Sequence, residues 1–313
     1  MKIYIKGIGI IAPNYFTDDI ATNAVAEKMN CKEPDYTHFF DSRALRRMSR
    51  MVKLGSTAAT IALKEANVEI PAAVVVGTGF GCLEDTSLFL RKMITNKEET
   101  LNPTPFIFST HNTIAAQIAI QLKTHGYNST YSHRNFSFES ALLDGFLLLK
   151  EEEVNNVLVG GIDELTDDSF DLLKRLNYYK NNIAGEGASF FFLSNEKGEN
   201  AYAELKAIEF FSNITIEEAI EKAKAFTKDI SIDAIVIGSE EHQLHQNDNV
   251  ILQALQLEEK AVFYKHLSGE YPTANAYAFG LAANYFKIGN AKNVLIYNHY
   301  AETNHSFILL SAC

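Results

Sequence analysis

Ala72-Ala73-Val74-Val75-Val76-Gly77-Thr78-Gly79-Phe80-Gly81 runs unbroken apolar residues into a glycine-rich turn. An apolar run without alternation reads as a strand buried on both faces, as in a parallel sheet. Glu84–Asn96 beyond the turn has the spacing of a helix, so the unit is strand, turn, helix. Working outward, the alternation recurs. Ile3–Ile11 reads as a strand. Arg46–Ala66 reads as a helix with Met48, Met51, Val52, Leu54, Ala58 and Ile61 apolar, and Pro71 ends that region. Thr113–Thr124 (helix), Asn128–Ser132 (strand), Ser137–Lys150 (helix), Asn156–Gly160 (strand) and Gly187–Leu193 (buried strand) follow. Past residue 200 come strand Ala201–Phe211, helix Ile216–Phe226, strand Asp233–Gly238 and a helix around Val250–Gln256. A buried helix Pro272–Lys287 and strands Val294–Tyr297 and Ser306–Ser311 close the chain. Both parts read as βαβαβαββ, which predicts an α/β fold with layered sheets. The division is 1–198 and 199–313, within one compact domain.

The chain has 313 residues, long enough for one large or two medium domains at roughly 100–200 residues each. Lys plus Arg number 28 against 39 Asp plus Glu, a net charge of −11, which lacks the basic footprint of a nucleic-acid binder. Twenty-one Phe and 14 Tyr argue against disorder. The three cysteines, Cys31, Cys82 and Cys313, form no CxxC pair, so neither a zinc cluster nor a disulfide framework is expected. Free thiols suit a reducing compartment. The start, Met1 to Gly7, alternates like a strand rather than a signal peptide. The uncharged run Tyr271–Phe286 is too short to span a membrane. A cytoplasmic, soluble protein is expected.

Local motifs have plain explanations. The third glycine of a dinucleotide GxGxxG would fall on Cys82, and no acid follows a second strand at the right distance. Gly77, Gly79 and Gly81 therefore read as a tight turn. His242 and His245 have HxxH spacing beside Asp248, but the surrounding Glu, Gln and Asn read as a solvated loop rather than a metal site. His111 reads as a packed or capping residue at a helix start. Glu151, Glu152 and Glu153 form a solvated charge run.

Several segments, in order, resemble the β-ketoacyl synthases of the thiolase superfamily. Ile5-Lys6-Gly7-Ile8-Gly9-Ile10-Ile11-Ala12-Pro13 is similar to that family's opening strand and loop, and Arg46-Arg47-Met48-Ser49-Arg50 to the start of its first long helix. Val74-Val75-Val76-Gly77-Thr78-Gly79 and Val159-Gly160-Gly161-Ile162-Asp163-Glu164 resemble its next strands. Phe108-Ser109-Thr110 fits its dimer-facing region. Gly185-Glu186-Gly187-Ala188 resembles its GEGA turn, and Lys265-x-x-x-Gly269 its KSxxGHxxxAAG segment. The resemblance implies the thiolase fold, five layers αβαβα from two βαβαβαββ halves. It also implies a family chemistry in which a cysteine at a helix N-terminus takes an acyl group. Two histidines then support decarboxylation of malonyl on acyl carrier protein.

On that correspondence the catalytic set is replaced. The nucleophile elbow falls on Asn135-Phe136-Ser137, with Phe136 at the cysteine position. Ile237 and Glu270 stand at the two histidine positions. Lys265 is retained. Asn298, His299 and Tyr300 occupy the gate-loop position. Phe and Ile offer no such chemistry, and an ionised Glu repels an oxyanion. Ser137 has two readings, a helix cap or a substitute nucleophile needing a base such as His133, His111 or Glu270.

The resemblance therefore implies a ketosynthase-like subunit without Cys-His-His, paired like a chain-length factor with an active ketosynthase. Aryl polyene, flexirubin-type and type II polyketide pathways use such pairs, and the segment Phe106–Asn112 is similar to chain-length-factor-like members. The interface is expected to include Pro105–Ser132. Two alternatives stand beside this. One is an active synthase or acyltransferase with a displaced set built on Ser137, Cys82 or Glu270. The other is a homodimeric scaffold that docks acyl carrier protein. Arg43, Arg46, Arg47 and Arg50, at helical spacing, form a candidate patch for that acidic partner, against the plain reading of a solvated helix face. No cofactor, metal, nucleic acid or membrane is expected.

Overall fold

The computed structural model describes residues 1–16, 27–179, 182–239, 244–289 and 291–313. The first half runs β1 (Tyr4–Ile11), α1 (Ser42–Leu45), α2 (Arg50–Glu65), β2 (Ala73–Gly77), α3 (Leu83–Thr95), α4 (Pro103–Phe108), α5 (Thr113–Leu122), β3 (Tyr127–Tyr131), α6 (Ser137–Lys150), β4 (Asn156–Asp163), α7 (Asp167–Arg175) and β5 (Gly187–Ser194). The second half runs β6 (Ala203–Phe211), α8 (Ile216–Phe226), β7 (Ala234–Ile237), α9 (Gln246–Leu255), β8 (Ala261–Phe263), α10 (Lys265–Ser268), α11 (Ala274–Ile288), β9 (Asn293–Tyr300) and β10 (Asn304–Ser311).

The strand order is β3-β2-β4-β5-β1-β6-β10-β9-β7-β8. Read outward from the centre, each half places its strands in the same sequence: first, fifth, fourth, second, third. The directions match as well. β2 is parallel to β3 and β4, and β7 is parallel to β8 and β9, while β5 and β10 are antiparallel to their neighbours. At the centre of the sheet β1 pairs with β6 at Tyr4↔Glu204 and Ile5↔Ala203, and an isolated bridge, Ala184↔Glu270, also joins the halves.

Side-chain alternation sorts the layers. On β2, Ala73 and Val75 enter a central core that also holds Val236, Val294 and Ile296 of the second half. Val74 and Val76 enter an outer core with Leu54, Ala58 and Ile114 from α2 and α5. On β7 and β9, Ile235, Ile237 and Leu295 enter the opposite outer core with Ala219 and Ile251 from α8 and α9. The layers are thus α2/α5, sheet, α6/α11, sheet, α8/α9, which is the five-layered αβαβα arrangement of two βαβαβαββ halves. α11 lies between sheets and is apolar almost all round, as a helix buried on all sides requires. Phe279 on it meets Phe191 and Phe138 at ring-centroid distances of 4.7 and 5.7 Å. Each such pair adds about 0.5–1.5 kcal/mol beyond the burial itself. α8, on the outside, is amphipathic and starts with a capping box between Thr215 and Glu218.

Two readings need correction. The helix expected over Arg46–Ala66 starts four residues later, at Arg50, after a separate short helix α1 capped by Asp41. The segment around Asp248 is not a solvated loop, because Asp248 lies fully buried in the first turn of α9. His242 lies outside the described residues. Among the described residues no helix is long and apolar enough to cross a membrane.

Candidate functional site

Three backbone turns meet where the halves face each other. The turn after β2 wraps a buried carboxylate rather than a ligand. Asp163 accepts from the Gly79 and Phe80 amides at 2.9 Å and from the Thr78 hydroxyl at 3.1 Å. Its other oxygen takes the Thr273 amide and hydroxyl at 3.1 and 2.9 Å, tying the turn to the start of α11. Burial lifts this carboxyl to about 6, against the pull of those donors. The loop amides that a dinucleotide phosphate would need are therefore occupied. Glycine is required at 79 because a Cβ there would lie 2.2 Å from Pro272 Cβ.

The other two turns carry Gly185-Glu186-Gly187 and Lys265–Glu270, and they touch backbone to backbone. Gly185 N donates to Glu270 O at 3.0 Å, and Glu270 N to Ile183 O at 2.7 Å. Gly269 has φ +73°, and a Cβ on it would lie 2.6 Å from Gly185 Cα. Glu186 is fully buried and holds both terminal nitrogens of Arg50 at 2.6–2.7 Å, with the Cys31 and Leu165 amides at 2.9 and 2.8 Å. Arg50 also reaches Glu33 at 2.6 Å. This corrects the basic patch. Arg50 is engaged in this buried network, and the helical break separates it from Arg43, Arg46 and Arg47, which remain exposed.

Between these turns and the β9–β10 hairpin lies a pocket of about 260 Å³. Asn135, Asn177, Tyr178, Tyr179 and Asn182 line it from the first half, and Gly238, His245, Lys265, Glu270 and residues 298–302 from the second. Buried Lys265 and part-buried Glu270 form an ion pair at 2.6 Å, and Asn182 Nδ2 donates to the same Glu270 oxygen at 2.8 Å. Asn298 donates to Glu139 at 2.8 Å; Ser306 donates to it at 3.0 Å. Glu139 sits in the first turn of α6, and its burial raises the carboxyl pKa. His299 Nε2 stands 3.6 Å from Asp248, to which the Ser239 hydroxyl donates. Arg134 donates to the Tyr300 hydroxyl at 3.2 Å across the rim.

Motif reading thus named Lys265, Glu270, Asn298, His299 and Tyr300, and the structure gathers them. Other expected residues lie elsewhere. Phe136 is buried, but its ring packs on Phe210 and His133 at 5.8 and 6.1 Å, and Asn135 lines the pocket beside it. Ile237 turns into the outer core of the second half, and Gly238 presents backbone to the pocket. The Ser137 hydroxyl donates to Arg134 O at 2.6 Å and accepts from His133 N at 2.9 Å, so its proton faces a carbonyl rather than a base. His133 instead meets Ser140 at 3.2 Å. Cys82 is buried, and burial raises its thiol pKa, which suppresses the reactive thiolate. His111 is exposed and packs beside Gly81. Among the described residues no three His, Cys, Asp or Glu side chains are grouped to hold a metal ion. Sequence reading missed Tyr178, Asn182, Glu139 and the pairing of His299 with Asp248. An acid in the first turn of the largely apolar helix Ser137–Lys150 was the available signal for Glu139.

Comparison with known proteins agrees with this architecture. Three solved structures are similar along 100% of the chain. A type II polyketide acyl carrier protein complex with its ketosynthase, AntDE:AntF, matches with TM-score 0.84 and 13% identity over 99% of that chain. The ishigamide ketosynthase/chain length factor matches with TM-score 0.78 and 14% identity over 99%. The ketosynthase ApeO with its chain length factor ApeC from Xenorhabdus doucetiae matches with TM-score 0.74 and 16% identity over 98%. No curated protein matches by sequence. The family profile "Beta-ketoacyl synthase, N-terminal domain" matches residues 21–185, just over half of the chain. The chain therefore belongs to the β-ketoacyl synthase family.

Proposed function

We propose that this protein is a ketosynthase-like subunit without its own condensing chemistry. It pairs in the manner of a chain-length factor with an active, cysteine-bearing β-ketoacyl synthase, in the cytoplasm, in building fatty acid, polyketide or polyene chains on acyl carrier protein. The observation that carries the reading is the filled elbow. Phe136 is packed into an aromatic cluster, and the adjacent Ser137 hydroxyl is committed to backbone. The positions of the family histidines hold Ile237, turned into a core, and Glu270, locked to Lys265. The gate position is a hairpin whose ladder runs to its tip, Tyr300↔Asn304, which leaves little loop to swing.

The partner surface is assigned to the free edge of β3 and the residues before it, within Pro105–Ser132. Among the described residues β3 pairs only with β2; Tyr127 on it and Ile120 on the adjoining α5 are exposed, as are Phe106 and Ile107 on α4 in the same stretch of chain. An unpaired edge with apolar neighbours is a template for another chain. Carrier protein is assigned to Arg43, Arg46 and Arg47, without Arg50. The halves are taken as 1–198 and 199–313.

The test is intact-mass analysis after incubation with an acyl-loaded carrier protein, with and without the co-expressed ketosynthase. The expected adduct forms on the ketosynthase alone. A stable acyl adduct on this chain at Ser137 or Cys82 would sink the reading in favour of a displaced catalytic set.

A further inference from the structure

We propose that the pocket between Lys265 and the β9–β10 hairpin binds a small, neutral, polyhydroxylated molecule of about monosaccharide size. The inference stands on the pocket and does not depend on the ketosynthase partner.

Size comes first. About 260 Å³ lies just below the range of roughly 300–1,000 Å³ that drug-sized ligands occupy, so the occupant is compact. Charge comes second. Lys265 is held by Glu270 at 2.6 Å, and His299 faces Asp248 at 3.6 Å. Lys265, the lysine among the described lining residues, has an acidic neighbour, so a carboxylate or phosphate reaching it would have to break that pair, and Arg134 at the rim is held by the Tyr300 hydroxyl at 3.2 Å. Polarity comes third. Ala301 is the single aliphatic side chain among the described lining residues, which is a poor wall for an acyl chain.

The hydrogen-bonding inventory then selects the class. Asn298 gives its NH₂ to Glu139, leaving the carbonyl oxygen for the pocket. Asn182 gives its NH₂ to Glu270 and likewise keeps its oxygen. Glu270 takes both donors on Oε2 and keeps Oε1. Asn135 accepts from Tyr178 on its oxygen and keeps its NH₂. Acceptors and donors are interleaved around one small volume. Hydroxyl groups, which donate and accept at once, match these polar atoms, which an alkyl chain would leave unpaired. Tyr178 and Tyr179 add aromatic surface for the C–H face of a ring. The frame is built in advance by buried Glu139 and Asp248 beneath the lining.

The experiment is saturation-transfer NMR on the full chain with hexoses, pentoses and inositol, and in parallel with pantetheine, malonate and octanoate. At least one polyol should receive saturation. Its affinity should fall about tenfold in Glu270→Gln and in Asn182→Ala, each removing one polar partner. Asn182→Ala keeps the test valid if Glu270→Gln unfolds, since it leaves the ion pair in place. Transfer to pantetheine, malonate or octanoate with none to any polyol overturns the proposal. So does silence from every probe, or polyol binding unchanged in both variants. None of these outcomes bears on whether a ketosynthase co-assembles with the chain.

Discussion

The two halves share one strand order and join their last two strands in different ways. In the first half β4 reaches β5 through residues 164–186, which carry α7 and the pocket residues Asn177, Tyr178, Tyr179 and Asn182. In the second half β9 turns into β10 through residues 301–303, a tip with Ala301 and Glu302 at φ +50° and +62°. One connection is long and builds a wall of the pocket, while the other is a tight hairpin that caps it. The sheets hold the fold in both cases, and what the molecule can bind is written in the connections. The buried carboxylates differ in the same sense. Asp163 in the first half has five donors, whereas Asp248 in the second keeps an oxygen without a hydrogen bond among the described residues.

The strongest way to break the first half is to remove Glu186. Glu186→Ala leaves Arg50 without its main buried partner and two amides without an acceptor. We expect a loss of about 3–5 kcal/mol in urea unfolding. Next is Gly269→Ala, which puts a Cβ against Gly185 and forces a positive φ on alanine. A cost of about 1–3 kcal/mol is expected from overpacking and strain.

Asp163 sharpens the contrast through pH. Its folded carboxyl titrates near 6, raised from the ordinary 3.8, so the folded protein holds the extra proton between those values. Its contribution is fully present below about pH 4, and stability falls as pH rises to about 6, by on the order of 2–3 kcal/mol. Asp163→Asn should remove that slope while lowering stability overall, since an amide cannot accept from every donor at the site. Urea midpoints at several pH values would show both effects.

Smaller changes separate the local roles. Ser137→Ala should cost about 1 kcal/mol, the worth of its backbone hydrogen bonds, without altering any acyl transfer by the complex. Glu302→Gly should stabilise the hairpin by up to about 1 kcal/mol, because glycine takes positive φ without a Cβ penalty. A thermal melt reads both.

Long periodic elements were legible in the sequence. Helices Ser137–Lys150 and Ile216–Phe226 fall where their apolar spacing puts them. α7 was missed although its apolar residues, Phe170 and Leu173 among them, recur at helical spacing. A second signal was the cap, Thr166 with Ser169. α2 begins at Arg50, whose guanidinium pairs with Glu186 far along the chain, and local spacing carries no trace of that pairing. The pocket divides in the same way. Lys265 and Glu270 lie in a motif, while His299 and Asp248 sit on different elements and meet only once β9 and α9 are packed. Ile237 shows the remaining limit: its place in the sequence was readable, but which face of β7 it takes depends on register.

The central claim is partnership in place of catalysis. The most direct measurement is affinity purification of the tagged chain from its native host, followed by mass spectrometry of the intact complex. The account expects a cysteine-bearing ketosynthase at one copy per copy of this chain. Replacing Phe106 and Ile107 with charged residues should then abolish the co-purification. Recovery of the chain only as a homodimer, with no ketosynthase, would contradict the account.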